Sequence, residues 1–205
     1  MLQMRLMTER EARSLLEPIH HVLSSCPRRA FSKYMAKVRP TTPLPTRRMR
    51  ANVVHNYMVD EARLMLGADP NITFIEKQNR SLISVHNKAL LRFKKLDQEM
   101  RPRNYPTSEA LAFDAQLGLP GVPDLARLTI GYALNRDEAD IDGVYVLLTT
   151  DRKVQWMYSL DEAQATFTPL TLPLVPAANA APQRSRIRPK APPAADQKKP
   201  GEETG

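Results

Sequence analysis

The chain has 205 residues, 42% hydrophobic and 25% charged, enough apolar material for one ordinary domain with appendages and a real core. A single cysteine excludes a disulfide framework and any multi-cysteine zinc or iron–sulfur site, and seven glycines against eighteen prolines exclude glycine-loop architectures. The net charge of +8 is uneven: residues 1–60 carry eleven Lys/Arg against four Asp/Glu, residues 61–169 thirteen against fifteen, and residues 170–205 six against three.

Arg5 interrupts the first apolar residues, so the uninterrupted run of a signal peptide is missing. The longest charge-free stretch, Ala163 to Gln183, is broken by four prolines and cannot span a bilayer as a helix. A cytoplasmic protein without membrane association is expected. Thr8 and Glu11 form a capping box ahead of an apolar stripe at Leu15, Leu16, Ile19, Val22 and Leu23. That helix is expected to end near Ser24 or Ser25, before Cys26-Pro27. A second, basic helix fits Arg28 to Val38, followed by an extended linker through Pro40, Pro43 and Pro45. Thr46 caps a third helix running to Leu66, with Gly67 as its stop. Arg47, Arg48 and Arg50 fall in its first turn, where the helix dipole disfavours cations, a hint of an external partner.

From Ile72 the pattern is that of strands. Ile72 to Glu76, Leu82 to His86 and Ala89 to Leu96 are short, apolar and separated by polar turn residues. In the third, Ala89, Leu91 and Phe93 should face inward while Arg92 and Lys94 face out. Thr107 caps a short helix through Gln116, and three more strands follow at Leu128–Leu134, Val144–Leu148 and Val154–Tyr158. The fold class is therefore α+β: a helical N-terminal third of about three helices, then a mostly antiparallel sheet of about six strands with one intervening helix. Along the chain this divides into a basic helical region at 1–40, an α+β core at 46–167, and a disordered Pro/Ala-rich basic tail at 168–205 that includes Arg184, Arg186, Arg188 and Lys190.

Chemical motifs are few. No P-loop, Gly-x-Gly-x-x-Gly, Gly-x-Ser-x-Gly or His-Glu-x-x-His pattern occurs, so neither a cofactor nor a resident metal is expected. Glu138-Ala-Asp140-Ile-Asp142-Gly143 opens like a calcium loop, but the twelfth position is Thr149 instead of a bidentate Glu. A polar hairpin turn centred on Asp142-Gly143 fits better. Cys26 beside Arg28 and Arg29 has no identifiable base and reads as a packed thiol. His20 and His21 on the first helix, and the isolated His55 and His86, read as surface or core histidines.

The functional signal is charge. No acid occurs between Glu17 and Asp60, while Arg28, Arg29, Lys33, Lys37, Arg39, Arg47, Arg48 and Arg50 do. Such a segment attracts phosphate backbones, which points to a non-catalytic nucleic-acid-binding or regulatory protein acting on DNA or RNA. Phe31 and Tyr34, interleaved with these cations, are expected on the buried face of their helix. Two alternatives come from other classes. One is an adaptor or inhibitor gripping an acidic protein. The other is a small toxin-like nuclease, metal-dependent through Glu61, Glu76, Asp97 and Glu99, or metal-free with His86 or His55 as base and Arg92 or Lys94 on the phosphate.

Overall fold

The computed structural model describes residues 6–42, 45–77, 80–103 and 107–161. The expected basic tail, and Pro43 of the expected linker, lie outside them. The Thr8 hydroxyl accepts the Glu11 amide at 3.3 Å, and Glu11 Oε2 accepts the Thr8 amide at 2.8 Å, which opens α1 (Glu9–Leu16). Pro18 cannot donate to residue 14, so the chain tightens into a 3-10 turn over Glu17–Ile19. The helix α2 (His20–Lys37) then continues through Pro27, joining what the sequence divides at Cys26-Pro27. An interior proline gives up one backbone bond, at about 3 kcal/mol in an exposed helix. Here Pro27 is buried, and Cys26, Ala30, Phe31 and Tyr34 on the same helix join the core, which offsets that loss. The helix α3 (Arg47–Leu66) starts as predicted, with Thr46 Oγ1 accepting the Met49 amide at 3.1 Å.

Six strands form one sheet in sequential order: β1 (Ile72–Lys77), β2 (Arg80–Val85), β3 (Ala89–Lys95), β4 (Ala126–Leu134), β5 (Ile141–Thr150) and β6 (Lys153–Ser159). All neighbours are antiparallel except β3 and β4, which run parallel. A parallel pair needs a crossover, and the chain between them supplies it with α4 (Ser108–Asp114), capped by Thr107 Oγ1 on the Ala110 amide at 3.2 Å. The α+β class is as expected: three helices, then a mostly antiparallel sheet with one helix between.

Strand alternation sends Leu91 and Phe93 of β3, Leu128 and Ile130 of β4, and Val146 and Leu148 of β5 to the face that α1, α2 and α3 cover. At the β6 edge of the sheet, α1 is held by Trp156 Nε1, which donates to the Met7 carbonyl at 2.9 Å. Leu82, Phe113 and Leu119 form a second, smaller core. This second core corrects one expectation. Arg92 does not face solvent: it is 6% exposed, stacked at 4.0 Å over Phe113 and paired with Asp114 at the end of α4. A second correction concerns the β4–β5 turn. It is built by Asn135, whose Oδ1 accepts the Ala139 amide at 2.8 Å, while Asp142 and Gly143 already belong to β5.

One departure from regular pairing shapes the molecule. β1 and β2 pair over six residues, from Ile72–Val85 to Lys77–Arg80. β3 and β4 pair over seven, from Ala89–Ala126 to Lys95–Tyr132. Between these two ribbons, β2 and β3 pair only at Val85–Ala89, Ser84–Leu90 and Ile83–Leu91. Beyond that ladder the sheet divides.

Candidate functional site

The division of the sheet opens a cavity of about 960 Å³. Arg80, Ser81 and Leu82 line it from β2, and Arg92, Phe93, Lys94 and Lys95 from β3. The first turn of α3 adds Arg47, Arg48 and Arg50, and Arg103 joins from the segment after β3, its amide donating to the Lys95 carbonyl at 2.9 Å. Eight cationic side chains from four stretches of chain thus share one cavity. Glu109 is the sole acid lining it among the described residues.

Four of the eight have local counter-charges. Arg80 pairs with Glu109, Arg92 with Asp114, and Arg50 and Lys95 share Glu138. Arg92 Nε also donates to Thr129 Oγ1 at 3.1 Å, and Thr149 Oγ1 donates to Asp114 at 3.1 Å, so this guanidinium is locked into the structure. Hydrogen bonds from Lys95 and Arg50 hold the Glu138 carboxyl down at about 2, against the opposing effect of burial. Among the described residues, the side chains of Arg47, Arg48, Lys94 and Arg103 take part in no hydrogen bond or ion pair.

Lys94 is half-buried in this wall. Burial first, then Arg92 and Arg80, lower its ammonium to about 8, with Asp114 opposing them. Burial and Lys94 together lower His55, on α3, to about 4, so it is a neutral imidazole at physiological pH. Burial raises the Tyr132 hydroxyl to about 12, leaving it protonated. The cavity therefore combines unneutralised cations with neutral hydrogen-bonding groups.

The eight cations singled out in the sequence part company here. Arg28 donates to the Ile141 carbonyl at 3.0 Å and to Asp161 Oδ2 at 2.9 Å. Arg29 and Lys33 both grip Glu61, which is buried on α3. Burial pushes the Glu61 carboxyl up, but the bonds from Lys33 and Arg29 outweigh it and hold it below its ordinary value. Lys37 and Arg39 are exposed at the C-terminal end of α2, the favourable end for cations. Arg47, Arg48 and Arg50 alone among the eight line the cavity. Phe31 and Tyr34 are buried, as expected, at 2% and 0% exposure.

Sequence reasoning missed Arg80, Lys95 and Arg103 because they come from a stretch with no excess charge. The signal available was the Arg92-Phe-Lys-Lys95 run, in which cations alternate with a core phenylalanine. The acids weighed for metal-dependent cleavage lie apart. Glu61 is taken by Arg29 and Lys33, Glu76 pairs with Arg63, and Asp97 and Glu99 pair with Arg101 in a turn. No group of three His, Cys, Asp or Glu side chains is placed to hold a metal ion among the described residues. His86 sits exposed in the β2–β3 turn at φ 49°, whereas His20 is buried against the Tyr158 hydroxyl at 3.1 Å. Burial pushes the Cys26 thiol up to about 12, an unreactive state. No described helix is long and apolar enough to cross a membrane. No protein-family model, no curated protein and no solved structure matches this sequence.

Proposed function

We propose that the protein binds nucleic acid without catalysis, and that the cleft between β2 and β3 is where the phosphate backbone docks. One observation carries this reading: Arg47, Arg48, Lys94 and Arg103 converge on one cavity with no carboxylate partner among the described residues. Like charges held together raise the potential and store repulsion, which an anionic ligand relieves. The exposed Arg47 and Arg48 offer phosphate contacts at the rim, and the half-buried Lys94 offers one inside. Such a distribution suits a chain of phosphates better than one small anion. A single strand, whose backbone can bend into a recess, fits it better than a stiff duplex confined to the rim.

Fluorescence anisotropy with labelled single-stranded DNA, single-stranded RNA and duplex DNA tests this. Single strands should bind more tightly than duplex, with log affinity falling linearly in log salt. Absence of salt-sensitive binding to any of the three refutes nucleic-acid recognition. Binding to an acidic polypeptide such as polyglutamate with no binding to nucleic acid would favour the adaptor reading instead.

A further inference from the structure

We infer that Arg50 and Lys95 form an oxyanion subsite that Glu138 occupies in the free protein, and that a phosphate of a bound strand displaces this carboxylate. This rests on the reading above and deepens it, by giving a role to the two cavity cations that the β4–β5 turn neutralises. The pair already holds an oxyanion. Lys95 Nζ donates to Glu138 Oε1 at 2.6 Å, and Arg50 Nη2 donates to Glu138 Oε2. The two cations come from β3 and α3 and both line the cavity, so the carboxylate bridges them as a bound anion would.

Exposure explains why this pairing can exchange. The Arg50 and Lys95 side chains are 20% and 17% exposed, whereas Glu138 is 40% exposed. Cations so withdrawn from water need an anion beside them, but a departing carboxylate on the turn can be hydrated. Exchange for another oxyanion thus costs little, whereas leaving the site empty does not. Protonation offers no route out, because the Glu138 carboxyl is held at about 2. The other two acids are fixed differently. Asp114 is buried and also accepts from Thr149 Oγ1, while Glu109 lies in the first turn of α4, where the helix dipole favours an acid, and holds one cation. Arg50 shares the start of α3 with Arg47 and Arg48, so a strand seated on those two brings its own phosphates to the subsite.

The test uses the full chain and a fluorescein-labelled oligothymidylate in anisotropy titrations. Glu138→Gln should bind about tenfold more tightly, the gain when a site open about one-tenth of the time becomes open throughout. Asp137→Asn removes the same charge from the same turn, at an exposed residue with no ion pair among the described residues. It should change affinity by less than about twofold, since a distant exposed charge is screened. In a chain already carrying Arg50→Ala and Lys95→Met, Glu138→Gln should do no more than Asp137→Asn. Thermal melts verify that each variant is folded. Glu138→Asp, one methylene shorter with its charge kept, is the second variant, and should tighten binding to a smaller extent by losing reach to the two cations.

A folded Glu138→Gln that binds no more tightly than the unmodified chain overturns the subsite and leaves nucleic-acid binding standing. An equal gain from Asp137→Asn does the same, because it reduces the effect to net charge. A gain that persists without Arg50 and Lys95 also overturns it. Should Glu138→Gln fail to fold, unchanged affinity in folded Glu138→Asp is the overturning result. Absence of binding by the unmodified chain removes both readings.

Discussion

The cations of α2 and those of the split sheet look alike in sequence but have opposite roles in the molecule. Arg28, Arg29 and Lys33 reach acids on other elements, at Asp161 and Glu61, and tie α2 to α3 and to the residues after β6. Arg47, Arg48, Lys94 and Arg103 line a shared cavity and form no ion pair among the described residues. The first set is neutralised within the fold, and the second set is left without ion pairs among the described residues. A basic stretch is therefore not a binding surface until its counter-charges have been located in three dimensions.

The comparison breaks most severely at Asp114. Replacing it with Ala leaves the buried Arg92 guanidinium without its carboxylate, which should cost about 3–5 kcal/mol of stability in urea unfolding. A loss under about 1 kcal/mol would mean that Arg92 belongs with the free cations and not with the locked ones. Glu61→Gln removes the acid on α3 that two cations of α2 share, but those cations are about half exposed and can be hydrated. A smaller loss of about 1–2 kcal/mol is expected, with nucleic-acid affinity unchanged. Reduced affinity in that variant would place Arg29 or Lys33 in the interface.

In the cleft the signs reverse. Arg47→Ala with Arg48→Ala removes cations from the unfavourable end of α3, so stability should stay within about 0.5 kcal/mol or rise. Affinity for single strands should fall, and the slope of log affinity against log salt should shrink by about 1.4, at roughly 0.7 for each phosphate no longer neutralised. An unchanged slope would take these two arginines out of the interface.

The smallest expected effect is on pH. Lys94 is faced by Arg92 on its own strand, Arg80 on β2, His55 on α3 and Asp114 on α4. Its ammonium is charged below about 8, so affinity for single strands should be full there and weaken as pH rises through that value. Folding stability moves the other way. The folded value lies below the ordinary one, so between about 8 and 10.5 the unfolded chain binds more protons and stability rises with pH. Lys94→Met should flatten both profiles. Parallel loss of affinity and stability with rising pH would show that another group governs binding.

Much of this fold was legible locally. The caps at Thr8, Thr46 and Thr107 act within three residues, and each starts its helix where the sequence places it. Pro27 was misleading because its cost is set by burial against the sheet, which local pattern does not show. Arg92 was misleading for a related reason: alternation puts it on the face opposite Phe93, but only the crossover through α4 decides that this face is covered. Of the cavity, the three arginines of α3 were visible, since they cluster in sequence and oppose the helix dipole. Arg80 and Arg103 were not, because neither stands out in a segment where acids balance bases.

The amino-acid order alone settles the three threonine-capped helix starts, the strand periodicity, the α+β class and the excess of cations in the first sixty residues. These depend on hydrogen bonds and side-chain directions that repeat within a few residues. Which cations are neutralised was decided by tertiary structure. Arg29 and Arg28 find their acids 32 and 133 residues away, and the free cations meet only because β2 and β3 part after three pairs. Coulomb attraction depends on distance through space, and folding sets that distance independently of separation along the chain.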